Sequence, residues 1–339
     1  MMRLPYFAFH APTTVREAAD LIASLPHEAM LVAGGTDLLP NMKRRQQVPK
    51  ALVSLRRVAE LKQVTNGNGL TIGAGLTLSG LVRDIRIRER YAALWQAASS
   101  VATPHLRNMG TLGGNLCLDT RCNYYDQNYE WRKAIDFCMK KDGAICWVAT
   151  GSPKCLAVSS TDTAPALLAL GATVVLVSAE GTREIPVGDL YRNDGIDYLT
   201  RRPNEILTSV RLPSLDGWRS TYWKLRRRGA FDFPVLSVAA AVKYGGGLVV
   251  EDARLVLGAV SSRPTEVPSA AAVLVGQPLT DDSIARAAEL AAKPAKPMDN
   301  TDFNLLWRKR VVREFVTYAL RELRGDDVRD LRWKISRTT

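Results

Sequence analysis

Apolar residues first recur at helical spacing as Ala18, Ala19, Leu21 and Ile22, behind Thr14-Val15-Arg16-Glu17, which has capping-box form; together they predict a helix over about 15–25. The apolar run 29–33 reads as a strand that leads into Gly34-Gly35-Thr36-Asp37, and 38–45 returns to helical periodicity, giving strand, glycine turn, helix. Short strands are expected at 51–55 and 70–72 and a helix at 89–101. After a tryptophan- and tyrosine-rich stretch, Ser159-Ser160-Thr161-Asp162-Thr163-Ala164-Pro165 opens a compact helix that Gly171 closes. Strands at 173–177 and 205–212 follow.

Around Pro213-Ser214-Leu215-Asp216-Gly217 the composition turns loop-like, which marks a domain boundary. Beyond it, 220–226, 236–244 and 254–259 alternate as antiparallel strands do, with Gly245-Gly246-Gly247 as a turn, and 270–275, 282–292 and 302–322 have helical periodicity. This half is a small α+β domain.

Composition adds limits. The chain has 339 residues, 46% of them hydrophobic, enough for two or three domains with real cores. No run approaches the roughly 18 apolar residues that cross a bilayer; the candidate 164–177 is broken by Pro165 and Gly171. Five cysteines, an odd number, and an N-terminus without a sustained apolar core argue against a disulfide framework and for a reducing, cytoplasmic compartment with no membrane partner. The net charge of +12 is spread over short clusters such as Lys43-Arg44-Arg45, Arg201-Arg202 and Arg226-Arg227-Arg228, with no nucleic-acid motif beside them. Such a field suits a solvated surface, an acidic partner subunit or an anionic cofactor.

Gly34-Gly35 before a helix offers backbone amides to an anion, because glycine tolerates positive φ and has no Cβ to block the approach. Thr111-Leu112-Gly113-Gly114-Asn115 repeats the double glycine with polar neighbours, so two turns can clasp the two ends of a pyrophosphate. A Rossmann fingerprint is missing: Gly73-Ala74-Gly75 lacks the third glycine.

Four further positions, Cys122, Cys138, Cys146 and Cys155, are separated by 15, 7 and 8 residues, without the close Cys-x-x-Cys pair of most zinc knuckles. Spacing alone leaves buried structural cysteines, zinc and an iron-sulfur cluster open.

The ordered motifs Ala33-Gly34-Gly35-Thr36-Asp37, Ile72-Gly73-Ala74-Gly75, Gly110-Thr111-Leu112-Gly113-Gly114-Asn115, Asp162-Thr163-Ala164-Pro165-Ala166-Leu167 and Leu257-Gly258-Ala259-Val260 resemble the FAD-binding subunits of the xanthine dehydrogenase and carbon monoxide dehydrogenase group, over roughly 4–322. The resemblance implies an α+β chain: a two-lobed vanillyl-alcohol-oxidase-like (PCMH-type) FAD-binding domain at 1–216, with lobes of about 1–57 and 58–216, then a CO dehydrogenase flavoprotein-type C-terminal domain at 217–325 and a tail at 326–339. Carried over by position, Val32, Ala33, Gly34, Gly35, Thr36 and Asp37 with Thr111, Gly113, Gly114 and Asn115 would supply amides and hydroxyls to the FAD pyrophosphate. Asp162 would bond the ribose or adenine end, Ile206 would lie against the flavin ring, and Lys224 would approach the flavin from the C-terminal domain.

In most of that family the Gly-Gly-Asn turn leads almost directly to the Asp-Thr-Ala-Pro helix, whereas here about 40 residues intervene and hold all five cysteines. The segment from Gly114 to Cys122, with Tyr124-Tyr125 and Trp131-Arg132 following, is similar to the β subunits of 4-hydroxybenzoyl-CoA reductases. That similarity implies an insertion at about 117–157 carrying a 4Fe-4S cluster on Cys122, Cys138, Cys146 and Cys155, with Cys117 left over as a small buried residue. It also implies a molybdenum-binding large subunit, a 2Fe-2S small subunit, a dimer of such heterotrimers and reduced ferredoxin as electron donor, with no substrate chemistry on this chain. Lys140, Lys141 and Lys154 flank the ligands and can offset cluster charge, meet an acidic ferredoxin or face solvent. His105, just before the second glycine turn, is a further candidate to touch flavin, against a purely structural role. Two alternatives stand beside this reading: a related molybdenum hydroxylase that oxidises an aromatic or heterocyclic substrate and exports electrons, and a zinc-stabilised basic protein whose glycine turns bind nucleic-acid phosphates.

Overall fold

The computed structural model describes residues 3–337. The first lobe is built on β1 (Ala8–His10), β2 (Ala29–Val32) and β3 (Ala51–Ser54), a parallel sheet in the order β1-β3-β2. The helix Val15–Ser24 links β1 to β2: Thr14 Oγ1 accepts from Glu17 N at 3.1 Å, and Glu17 Oε2 in turn accepts from Thr13 N at 2.8 Å. Its apolar face, Ala18, Ala19 and Ile22, is buried with Val53 and Ile206.

The second lobe is a five-stranded antiparallel sheet of β4 (Val64–Gly67), β5 (Gly69–Gly73), β6 (Thr173–Ser178), β7 (Gly181–Pro186) and β8 (Ile206–Leu212), ordered β4-β5-β8-β6-β7. The helix expected at 89–101 is two helices, Ile85–Arg90 and Ala92–Ser100. They part at Tyr91, buried with its hydroxyl on the Pro213 carbonyl at 3.0 Å, which fixes the backbone outside the helical region (φ −130°, ψ 55°).

The last sheet comprises β9 (Trp218–Leu225), β10 (Leu236–Tyr244), β11 (Val250–Gly258) and β12 (Thr265–Glu266), antiparallel in the order β12-β11-β10-β9. Both of its faces are covered, which is why β10 reads as an unbroken apolar run. Tyr222, Ala239, Ala241 and Val256 point into the core shared with the second lobe. Their neighbours Trp223, Val238, Ala240 and Leu255 pack under the helices Asp281–Ala292 and Leu305–Arg324. Small residues at 239 and 241 let the helices Ala92–Ser100 and Thr163–Ala169 approach the sheet closely. The segment expected as a tail continues as a helix, Arg329–Arg337, because Arg332 reaches back to Glu322 at 2.5 Å and to Thr221 Oγ1 at 2.8 Å and lies over the Trp223 ring. Among the described residues no helix is long and apolar enough to cross a membrane.

Candidate functional site

A cavity of about 580 Å³ opens between the two lobes and is closed on one side by Phe231, Asp232 and Phe233 of the C-terminal domain. Val32, Ala33, Gly34, Gly35, Thr36, Asp37, Thr111, Gly113, Gly114, Asn115 and Asp162 all line it, so eleven of the thirteen proposed FAD residues share one wall system.

The two glycine turns do different work. In the first, the amides of Gly34, Gly35, Thr36 and Asp37 find no hydrogen-bond partner among the described residues, and Gly35 takes φ 71°. A run of unpaired amides around a left-handed residue is an anion nest. In the second, the amides are spent within the chain: Leu112 on Leu76 O at 3.0 Å, Gly113 on Ala74 O at 2.8 Å, Gly114 on Thr111 Oγ1 at 3.1 Å and Asn115 on Thr111 O at 2.9 Å. This turn is a capped helix start held against the loop after β5. Asn115 Oδ1 accepts from Thr161 Oγ1 at 2.9 Å and from Thr163 N at 3.0 Å, tying the turn to the Asp162 helix. The turns also touch: a Cβ on Gly34 would lie 2.1 Å from Met109 O. Gly34 is thus required by the approach of the second lobe, independently of what the turn binds.

Ile206 and Lys224 are placed differently from their expected roles. Ile206 turns into the core of the first lobe, and its strand neighbour Leu207 faces the cavity, as alternation along β8 demands. Lys224 is buried and donates to Asp162 Oδ2 at 3.0 Å and to Ser100 O at 3.1 Å, behind the cavity wall; burial pulls its amino group below the usual lysine value. Tyr222 donates to the other oxygen of Asp162 at 2.7 Å. His105 is exposed on the short helix Pro104–Arg107.

Sequence patterns did not single out Gln47, Asp119, Arg121, Tyr198 and Arg201, which complete the polar wall. They come from loops without periodicity; Arg201 stands in a basic pair, and Asp119 and Arg121 lie in the segment from Gly114 to Cys122 that carries the resemblance. Arg121 pairs with Asp37 and with Asp126 at 3.3 Å, bridging the first turn to the cysteine insertion. Cys117 also lines the cavity; burial raises its thiol above the ordinary range, and Arg201 opposes that.

The insertion is folded and braced. Cys122, Cys138 and Cys155 pack in one cluster with Tyr125 and Ala157, and Cys146 is buried in the same insertion. All four are buried free thiols. Burial, then neighbouring sulfurs, push Cys122 up to about 12 and Cys155 up to about 11. Amides already point at sulfur: Ala157 N donates to Cys155 Sγ at 3.4 Å. Asp136, Phe137 and Asp142 adopt left-handed backbone around Cys138 (φ 59°, 59° and 70°), a conformation non-glycine residues hold only where surroundings over-determine it. Here Trp147 Nε1 on Phe137 O at 2.5 Å and Gly143 N on Cys138 O at 3.1 Å do so. From outside, Gln46 Nε2 bonds Tyr125 O at 2.5 Å, and Asn300 of the C-terminal domain bonds Leu156 O at 2.6 Å and receives Asn123 N at 2.9 Å. Among the described residues no three His, Cys, Asp or Glu side chains converge on the geometry of one metal ion. Lys141 pairs with Asp142 at 3.3 Å and Lys154 bonds Asn193 O at 2.5 Å near the surface, whereas Lys140 is buried.

Two lobes around an amide nest, closed by a third sheet, form a site suited to a large anionic ligand. Residues 5–215 match the FAD binding domain in molybdopterin dehydrogenase and residues 220–323 the CO dehydrogenase flavoprotein C-terminal domain. The chain is 32% identical over 328 residues to the aldehyde oxidoreductase FAD-binding subunit PaoB of Escherichia coli, covering 92% of this chain and 98% of that one. It is 26% identical to the carbon monoxide dehydrogenase medium chain of Hydrogenophaga pseudoflava, covering 93% and 96%. Among solved structures, carbon monoxide dehydrogenase from Hydrogenophaga pseudoflava superposes with a TM-score of 0.77 at 25% identity over 98% of this chain and 99% of that one. The reconstituted enzyme from Oligotropha carboxidovorans gives 0.78 at 25% identity over 96% and 100%. The chain belongs to the FAD-binding electron-transfer subunits of the molybdenum hydroxylase and CO dehydrogenase family. This places the double-glycine turns in an FAD-binding domain, in place of the phosphate-backbone role considered for them in a nucleic-acid-binding protein.

Proposed function

We propose that this chain carries FAD between its lobes and a 4Fe-4S cluster on Cys122, Cys138, Cys146 and Cys155, and relays electrons within a molybdenum enzyme of the 4-hydroxybenzoyl-CoA reductase type. The observation that carries the reading is the insertion itself: four buried free thiols, three of them packed in one cluster, between the Asn115 turn and the Asp162 helix. FAD fits the residues present, since the unpaired amides at 34–37 offer a cradle for a pyrophosphate and Leu207 and Leu78 give the same cavity apolar walls. Asp162, fixed by Tyr222 and Lys224, would hold the ribose or adenine end. Thr111 and Asn115 contribute by placing the second wall, their neighbouring amides being used within the chain.

Four thiolates suit an iron-sulfur cluster, whose potential is tuned by charge, burial and N–H bonds to sulfur. A flavin exchanges electrons singly or in pairs and therefore matches a one-electron centre to a two-electron reaction. The direction assigned is inward: reduced ferredoxin, cluster, FAD, then 2Fe-2S centres on a small subunit and molybdenum on a large subunit. There 4-hydroxybenzoyl-CoA takes up two electrons and two protons, giving benzoyl-CoA and water. The relatives, subunits of an aldehyde oxidoreductase, a carbon monoxide dehydrogenase and a nicotine hydroxylase, favour the reverse flow as a second reading.

The chain purified anaerobically with its partner subunits should contain flavin and about four irons, the number the proposed cluster holds. Cys138→Ser should lose iron and keep FAD. Benzoyl-CoA formation from 4-hydroxybenzoyl-CoA and a low-potential donor tests the direction; turnover of a heterocycle with release of electrons, and none of the thioester, would establish the reverse.

A further inference from the structure

Lys140 begins two residues after Cys138 yet ends on Asp119, a residue of the cavity wall. Its Nζ donates to Asp119 Oδ1 at 2.7 Å, Thr120 Oγ1 at 2.5 Å and Gly195 O at 2.6 Å, which occupies all three of its donors. It also lies over the rings of Tyr125 at 4.8 Å and Tyr198 at 5.4 Å. Both members of the Lys140–Asp119 pair have side chains only 6% exposed. Asp119 and Tyr198 line the cavity, whereas Tyr125 packs among the cysteines. Gly195 completes the link, because its amide donates to Cys155 O at 2.9 Å and it leaves no room for a Cβ, which would lie 2.6 Å from Cys155 Sγ.

We infer that Lys140 is a positioning residue that couples occupancy of the four-thiol site to FAD binding. The inference rests on the iron-sulfur reading of those thiols. Loading the thiols fixes the Cys138–Cys146 loop; through Lys140 that fixes Asp119, Gly195 and Tyr198, so part of the ordering FAD requires is already complete. Such coupling is reciprocal: FAD must tighten the cluster site by the same factor. A plain anchor would add stability but leave FAD affinity indifferent to iron.

The test uses the full-length chain, prepared anaerobically with any subunits that accompany it. FAD is removed and titrated back, followed by flavin fluorescence, on iron-loaded and iron-free protein, wild type and Lys140→Met. Wild type should bind FAD about fivefold or more tightly when iron-loaded, the lower end of ordinary coupling, and FAD should alter the electron paramagnetic resonance spectrum of the reduced cluster. Lys140→Met should keep its iron yet bind FAD equally in both forms, with no spectral response. Wild type without iron overturns the iron-sulfur reading and this inference together. Iron present with equal FAD affinity in both forms overturns the coupling alone, and coupling undiminished in Lys140→Met overturns the role of Lys140. Should that variant fail to fold, the neutral pair Asp119→Asn/Lys140→Gln is judged by the same measurements, and loss of iron and FAD together there would make Lys140 structural support only.

Discussion

Lys224 Nζ lies 3.0 Å from Asp162 Oδ2, and the two side chains are 4% and 3% exposed. One comes from β9 of the C-terminal domain and the other from the start of the Thr163–Ala169 helix, so a buried charge pair joins the domains directly behind the flavin cavity. Lys224→Met would leave Asp162 buried with Tyr222 as its one remaining hydrogen-bond donor among the described residues. Removing one member of such a pair costs about 3–5 kcal/mol. The expected result is a loss of that size in urea unfolding together with weaker FAD retention. Asp162→Asn/Lys224→Met should recover most of the stability but not the affinity.

Gly34 faces Met109 O at a distance that a Cβ would reduce to 2.1 Å. Gly34→Ala therefore has to push the first turn off the second, and overpacking of this kind costs about 1–3 kcal/mol. Because the unpaired amides lie on that turn, flavin content of the purified protein should fall far more than stability does. An alanine variant with full flavin content would show that the turns separate freely.

Periodicity made the elements legible and chemistry made the site legible, each with a blind spot. The apolar run of β10 identified a strand, but only the structure shows Ala239 and Ala241 turned to one core and Val238 and Ala240 to another. Ile206 and Leu207 differ by one residue and hence by one face, a distinction a short strand does not encode. Tyr198 and Arg201 sit in a loop where nothing alternates, and their place in the cavity wall depends on contacts with segments far away in sequence. The double glycines were visible as turns, yet their different amide partners depend on what lies opposite: open cavity for one, the loop at Ala74–Leu76 for the other.

Gly195 offers a test of how the insertion is held. A Cβ there would meet Cys155 Sγ at 2.6 Å and Ala157 N at 2.7 Å, the same amide that donates to that sulfur. Gly195→Ala should displace Cys155 and lower iron content to less than about half, while FAD, whose amide nest lies elsewhere, still binds but with the weaker affinity of iron-free protein; an overpacked site of this kind shifts backbone rather than unfolding the domain. Iron and flavin assays on one preparation check it.

Glu205 supplies a pH prediction. It immediately precedes β8, is buried, and accepts from Arg183 Nε at 2.6 Å, Arg183 Nη2 at 2.8 Å and its own loop amide at Arg202 at 2.7 Å. Burial would raise its carboxyl, but these bonds outweigh that and hold it below the ordinary glutamate value of 4.5. A carboxyl lowered on folding adds stability that is complete above its unfolded value and is lost as pH falls through the folded one. Wild type should therefore keep this contribution at pH 5 and above and lose it progressively below about pH 4.5. Arg183→Met removes the largest opposing contribution, so burial dominates and the carboxyl rises; the buried charge then costs stability at neutral pH, a cost relieved as pH falls and the carboxyl protonates. Charged hydrogen bonds of this kind are worth about 1.5–3 kcal/mol, so the variant should be destabilised by about 2 kcal/mol at pH 7 and by much less at pH 3. Urea midpoints across pH 3–7 measure the difference; a constant gap between the two proteins over that range would show that Glu205 does not titrate with folding.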